Sequence, residues 1–555
     1  MEFLPYGSFS PAGELLRRLM MSYSRLESPL YGAEIFDKSA EENPQWPGDW
    51  EGRTILAVVM LAKATGREPE NLKPLLQELE KRINQDGYMG PLIQEGRINE
   101  QLLAGNSWVM RGLCELYEWR RDEKTLEAIR NMAEGLFLKT SGTYAAYPIT
   151  KGSRQQGEGR EGGNLTGEVN QGWLSSTDIG CAFIMLDGAS HAYHLLRTPQ
   201  LRELITDMIS RFAQADLTGA TFQTHATLSA VRGILRFYED TGEEKWLELA
   251  KKVFAYYAEN GMTENYANHN WFGRPEWTEP CAIVDSLLSS ATLWRMTREP
   301  GYLELAHNIL YNALYYAQRA NGGFGCDNCA GAFEPTLRPS GEASYEAWWC
   351  CTMRGADGLS NAASYMAAEE MGTLYLPFYQ EGVFTAKGLK LRETTAYPYT
   401  GRVTLEVLEN TGEVSSIAFY RPSFVRFFHV QGGEIAGEDS GFVTVKGSWL
   451  PGDRIEVIME LSLWTADARS PAFEGWQTLR YGTLLLAAPS GSWPAIMPDL
   501  DRLVLEDAQG AVFAAPDGRH FSPVGRMTFT SKEEILSTPL QVLFEARSRS
   551  GDGKE

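Results

Sequence analysis

The chain has 555 residues, a net charge of −21, and a composition of 43% hydrophobic, 22% charged and 11% aromatic residues. That is a folded globular protein too long for one ordinary core, so two or more domains are expected. An acidic balance without a basic block argues against a nucleic-acid partner or an anionic membrane surface. The opening run MEFLPYGSFSPAGELLRRLMM lacks the basic start, apolar stretch and cleavage site of a signal peptide. Nor does any run approach the roughly 18 apolar residues of a membrane span. Seven cysteines, an odd number, read as reduced thiols of a cytoplasmic protein. Fifteen tryptophans and 24 tyrosines fit either aromatic helix packing or a carbohydrate site, where a ring face packs on a sugar.

From about residue 12 to 370 the pattern is helical. Ile55, Val58, Val59 and Ala62 fall at i, i+3, i+4 and i+7, and so do Val284, Leu287, Leu288 and Ala291. A two-helix phrase recurs: LRFYEDTGEEKWLELAKKVF and LWRMTREPGYLELAHNILYN share LELA, with weaker echoes in LYEWRRDEKTLEAI and LLRTPQLRELI. Such repeats stack as a solenoid or close into a ring. Variable repeat length and the long polar insertion at 150–172 favour a closed (α/α)6-type toroid. After residue 371 the period becomes two, as in Val403, Leu405, Val407 and in Ile455, Val457, Met459, Leu461. The expected organisation is a helical toroid over 1–370, an antiparallel β-sandwich over 371–545 and a disordered tail at 546–555.

The stretch EAWWCCTMRGADGLSN, 346–361, places two cysteines side by side. A disulfide between Cys350 and Cys351 is disfavoured, because adjacent Cα atoms are about 3.8 Å apart and an unstrained bridge needs roughly 4.4–6.8 Å. Metal binding, a reactive thiol or inert burial remain. CDNC, with Cys326 and Cys329, joined to the vicinal pair makes a four-cysteine zinc set. TEPC offers another: Glu279 and Cys281 point the same way in an extended lead-in, and Pro280 suits a first helical turn. That set holds zinc by one oxygen and three sulfurs.

TEPC at a helix start, the WCC pair about 70 residues later, FYRPSF with GFVTVKGSWLPGDRIEV in the sandwich, and NQDGY at 84–88 together resemble glycoside hydrolase family 127, the β-L-arabinofuranosidases. The resemblance implies a retaining exo-glycosidase acting on a β-L-arabinofuranoside or related sugar of plant-type oligosaccharides. It implies zinc held by Glu279, Cys281, Cys350 and Cys351, with Cys350 as nucleophile. The acid/base falls on Glu264 in GMTENYANHNW, with Glu276 as second choice. Asp49, Trp50, Glu100, His225 and His269 are expected at the sugar. The sequence departs from the family where Asn99 and Asn106 replace histidines expected to touch the furanose. His225 also lies one helical turn before its expected place. Two other readings share the architecture: a lyase or epimerase using Tyr266 and His269 as acid and base, or a zinc-stabilised sugar-binding protein without turnover. The expected partner is a small oligosaccharide, and a homodimer is compatible.

Overall fold

A computed structural model describes residues 1–94, 96–153, 163–341, 343–412, 414–491, 493–526 and 531–546. The tail expected to be disordered lies, from residue 547, outside them, as do positions 154–162 of the polar insertion.

The recurring two-helix phrase has a local cause. Five of the six inner helices end at a left-handed residue whose N–H reaches back to the carbonyl four residues earlier. Gly66, Arg121, Arg197, Gly242 and Arg298 do this, with φ between 55° and 71°. The chain reverses there and an outer helix begins, twice on a proline at its first position, Pro199 and Pro300.

Among the described residues six helices form the inner ring: Asp49–Thr65, Glu100–Arg120, Met185–Leu196, Thr224–Thr241, Pro280–Thr297 and Cys351–Ser364. Each packs on the next, and Cys351–Ser364 closes onto Asp49–Thr65. The outer layer is Gly13–Leu26, Leu72–Arg82, Glu123–Met132, Pro199–Phe212, Glu244–Asn260 and Pro300–Asn308. This closed toroid, not a solenoid, matches the expectation. Glycine permits its tightest seam: a Cβ on Gly52 would lie 2.3 Å from the Val109 nitrogen, and one on Gly105 2.4 Å from the Pro47 carbonyl. Gly48 faces Gly105, Gly52 faces Val109, and Gly112 faces Ile55, so these two inner helices run parallel.

The inner helices bury charge at the ring's axis. Asp187 pairs with Arg111 at 3.1 Å and Arg232 at 3.3 Å. Asp285 pairs with Arg232 at 2.8 Å and Arg354 at 2.5 Å, and Arg354 also holds Asp357. Burial alone would neutralise these carboxylates, but the guanidiniums outweigh it and hold Asp187 and Asp285 far below the usual range.

The β part departs from a single sandwich over 371–545. Two six-stranded sheets face each other across residues 368–459, and both recruit the N-terminus: Glu2–Phe3 pairs with Ala368–Glu370, and Phe9–Pro11 with Gly382–Ala386. The pairing is antiparallel except where Ser416–Tyr420 runs parallel to Thr373–Leu376. Val403, Leu405, Val407, Ile455, Val457 and Met459 are all buried between these sheets, as their alternation required. A third sheet then spans Leu463 to Glu545 and takes in Thr336–Leu337 from the helical part. It docks on the toroid through Tyr316, Ala330, Leu337, Leu485, Ala487, Val524, Leu540 and Val542. Alternation alone cannot reveal this split, since the same period of two continues across 459–463. No helix of the described residues is long and apolar enough to cross a membrane.

Candidate active site

Two helix starts build the thiol cluster. Glu279 is the residue before the Pro280–Thr297 helix, and Cys281 lies in that helix's first turn. Cys350 likewise precedes Cys351–Ser364, whose first residue is Cys351. Each start contributes one cap residue and one first-turn residue. Helix N-termini carry partial positive charge, so anionic donors are favoured there. The lead-in to the vicinal pair is held by Glu346, which accepts from Arg25 Nε at 2.7 Å and Thr352 Oγ1 at 2.9 Å. Tyr31 reaches the Trp348 carbonyl at 3.0 Å. On the other side the Glu279 N–H donates to Asn268 Oδ1 at 3.0 Å.

The ligand atoms of Glu279, Cys281, Cys350 and Cys351 all lie within 4.8 Å of one another. Sγ–Sγ separations are 3.3 Å for Cys350–Cys351 and 3.7 Å for Cys281–Cys351. Tetrahedral zinc with Zn–S of about 2.3 Å needs sulfurs about 3.8 Å apart, so the donors fit one such ion closely. Burial pushes the Cys281 and Cys351 thiols well above their usual range. For Cys350 a hydrogen bond from Cys281 opposes the shift, and Cys351 and burial overcome it. Burial and the nearby Asp178 carry Glu279 to about 8. Burial thus disfavours the charged form of all four donors, and a divalent ion is what such a set is suited to charge. Cys350 is half-buried, whereas Cys281 and Cys351 have no exposed surface.

The cysteines of CDNC part company. Cys326 lies beside Cys351, and Cys329 Sγ points at the Asn268 carbonyl, 3.6 Å away. The loop between them is fastened to the lead-in of the Pro280–Thr297 helix: Thr278 N–H donates to the Asp327 carbonyl at 2.8 Å, and Asp327 N–H to Thr278 Oγ1 at 2.9 Å. Neither Cys326 nor Cys329 joins the four-donor set.

Glu264 is buried at 2% exposure, and its Oε1 accepts the main-chain N–H of Arg469 at 2.8 Å and of Ser470 at 3.1 Å. Burial raises its carboxyl, and those two amides with Arg469 and Arg480 pull it back in part. Glu276 is exposed and paired with Arg274 at 2.7 Å. Between the two carboxyls expected for acid/base work, only Glu264 has the enclosed setting that lifts a carboxyl.

The residues expected at the sugar divide. Trp50 meets Trp348 edge-on at 4.7 Å, beside the half-buried Trp349. Asp49 Oδ1 takes the Arg53 Nε at 2.8 Å. Glu100 has no exposed surface; its carboxylate receives the Tyr147 hydroxyl at 2.5 Å and the Ser176 N–H. His225 lies beneath the cluster, its Nδ1 on Asp285 Oδ2 at 2.8 Å and its ring stacked on Trp108. His269 bonds the Asn260 carbonyl, at the end of an outer helix. Glu100 and His225 are thus buried and hydrogen-bonded to protein groups. Asn99 caps the Glu100–Arg120 helix, and Asn106 clamps Met89 through its N–H at 2.9 Å and its carbonyl at 3.0 Å.

Four contributors were not singled out from sequence. Arg53 donates to Cys281 Sγ at 3.3 Å, and Gln223 Nε2 to Glu279 Oε2 at 3.3 Å. Asp285 seats His225, and the Arg469–Ser470 backbone seats Glu264. Arg53 had a signal, since it stands four residues after Asp49 at a helix start.

No protein-family model and no curated protein matches the chain. Solved structures do. A protein described as a glycoside hydrolase superposes with a TM-score of 0.71 at 13% identity, covering 99% of this chain and 98% of its own. A family 127 β-arabinofuranosidase gives 0.70 at 13% identity, with 98% of each chain covered. The family 127 β-L-arabinofuranosidase of Geobacillus stearothermophilus T6 gives 0.67 at 14% identity, covering 97% of this chain and all of its own. This is the family 127 fold. It extends over the toroid, both sheets of the sandwich and the third sheet alike.

Proposed function

We propose that the protein is a retaining exo-glycosidase that uses Cys350 as nucleophile and Glu264 as acid/base, on a β-L-arabinofuranoside or related sugar of a small oligosaccharide. The observation that carries this reading is the half-buried Cys350 sulfur within a Glu–Cys₃ donor set in a family 127 fold. Glu279, Cys281, Cys350 and Cys351 would hold zinc. Bound there, the ion supplies the positive charge that keeps buried thiols ionised at neutral pH.

Two amides engage Oε1 of Glu264, so its acidic proton belongs on Oε2. Glu264 gives that proton to the glycosidic oxygen as the C–O bond breaks, and Cys350 Sγ forms a bond to the anomeric carbon. The aglycone leaves as an alcohol. Glu264, now a carboxylate, takes a proton from water, whose oxygen attacks the same carbon and expels the sulfur. Two displacements at one carbon retain its configuration. Trp50, Trp348 and Trp349 offer aromatic faces for the sugar, and Asp49 a carboxylate edge.

Elemental analysis of wild type and Cys281→Ser, with initial rates on aryl β-L-arabinofuranosides, tests the reading. About one zinc per chain, reduced in Cys281→Ser, together with turnover, is the expected result. No zinc, or zinc indifferent to Cys281→Ser, sinks it.

A further inference from the structure

Three sulfurs crowd one cluster, yet a displacement uses only one. We infer that Arg53 is a positioning residue that holds Cys281 as a spectator sulfur and so leaves Cys350 as the sulfur that reacts. The inference rests on the reading above and adds to it the means by which one thiol is selected.

The Arg53 guanidinium is fixed on several sides. Nε donates to Asp49 Oδ1 at 2.8 Å, one turn back on the same helix, and Nη1 to Cys281 Sγ at 3.3 Å. Nη2 lies 3.5 Å from His225 Nε2, and the group stands 4.3 Å from the centre of the Trp108 ring. His225 gives its Nδ1 proton to Asp285, which leaves Nε2 as an acceptor for Arg53. At 5% exposure the side chain has no room to swing. A planar fork is needed to reach a carboxylate, a sulfur and an imidazole together, and lysine lacks one.

A sulfur that accepts a charge-assisted hydrogen bond shares its electron density with the donor and attacks carbon less readily. Cys281 is in that position. Cys350 faces Cys351 at 3.3 Å and keeps exposed surface, which Cys281 lacks. The guanidinium also offsets charge: three thiolates and a carboxylate around a divalent ion total −2, and burying that excess is costly without a nearby cation.

The test uses zinc-loaded full-length protein. Arg53→Met is combined with Asp49→Asn, so that no carboxylate is left buried without its partner. Two quantities are read: zinc release to a chromogenic chelator, and the cysteine alkylated by limiting iodoacetamide, located by peptide mass spectrometry. Wild type is expected to react at Cys350 about tenfold or more in preference to Cys281. The pair variant should lose that preference and release zinc about tenfold faster, roughly 1.4 kcal/mol. Arg53→Lys should fall between the two in zinc release. A folded pair variant with wild-type release and wild-type selectivity overturns the inference. If the pair variant does not fold, Arg53→Lys decides, and unchanged values in both readouts overturn it equally. Zinc-free wild type is a separate outcome, which defeats the underlying glycosidase reading before Arg53 is reached.

Discussion

Among the described residues two groups of side chains that could hold a metal ion occupy this ring, and they are electrostatic opposites. Glu279, Cys281, Cys350 and Cys351 gather at helix starts; Glu115, Glu118 and His191 gather toward the C-terminal parts of the Glu100–Arg120 and Met185–Leu196 helices. The second group carries its own cations. Lys63 lies 2.5 Å from Glu115 and 3.6 Å from Glu118, and Arg111 3.0 Å from Glu115. Burial would raise both carboxyls, but Lys63, Arg111 and His191 outweigh it for Glu115, and chiefly His191 for Glu118. Glu115 is held well below the usual range and Glu118 at about 2. At the thiol group every donor is pushed the other way. The lesson is that ligand-type residues within reach of one another do not make a metal site. What matters is whether the protein's own cations outweigh the burial of the donors: around Glu115 and Glu118 they do, and at the thiol group Arg53 does not.

Substitutions at the two groups should separate them most sharply in activity. Cys350→Ala is expected to lower turnover of an aryl glycoside by about 1,000-fold or more, while Glu115→Gln leaves it within about twofold. A Cys350→Ala protein retaining a tenth of the wild-type rate would break the contrast. Stability should show the reverse. Glu115→Gln takes from Lys63 and Arg111 the buried carboxylate they share, leaving Lys63 with Glu118 and Arg111 with Asp187, and urea unfolding should report a loss of about 3 kcal/mol; zinc content should not change. Next, zinc added to chelator-stripped protein in weak buffer at pH 7 should release more than two protons per ion, since buried thiols must ionise to bind it. Proton release that survives Cys281→Ser and Cys351→Ser together would place the ion elsewhere.

The smallest effect is in acid. Burial lowers His191 and His225 to about 4, outweighing Glu118 beside the first and Asp285 beside the second. Both are neutral in the fold, while an unfolded chain protonates them below about pH 6.5. Their contribution is therefore present above pH 6.5 and lost as pH falls toward 4. Melting curves of His225→Asn should show a shallower acid slope over that window, by at most about 1.4 kcal/mol per pH unit. An unchanged slope would mean His225 is charged in the fold.

Much of the toroid was legible because its turns are chemically punctuated: a left-handed residue, then an acidic or proline start, recurs at Arg121, Arg197, Gly242 and Arg298. The clustering of Glu279, Cys281, Cys350 and Cys351 was legible for a related reason, each lying at or next to a helix start that TEPC and WCC advertise. Strands of two or three residues, such as Glu2–Phe3 and Phe9–Pro11, carry too little alternation to be read. The partners of Glu264 were out of reach too, because Arg469 and Ser470 offer backbone amides and lie some 200 residues away. Asn99 and Asn106 stood out in sequence as missing sugar readers. The structure gives them other work, one as a helix cap and one as a clamp on Met89.

The pairing of Glu2–Phe3 with Ala368–Glu370 has a consequence for biosynthesis. The first strand emerges from the ribosome about 370 residues before its partner, a wait of roughly 20–70 s at ordinary elongation rates. The loop that grips Glu264 arrives later still, in the last fifth of the chain. A nascent ring can therefore gather its thiol cluster well before the loop that holds Glu264 has been made, so the seating of Glu264 is expected late in folding.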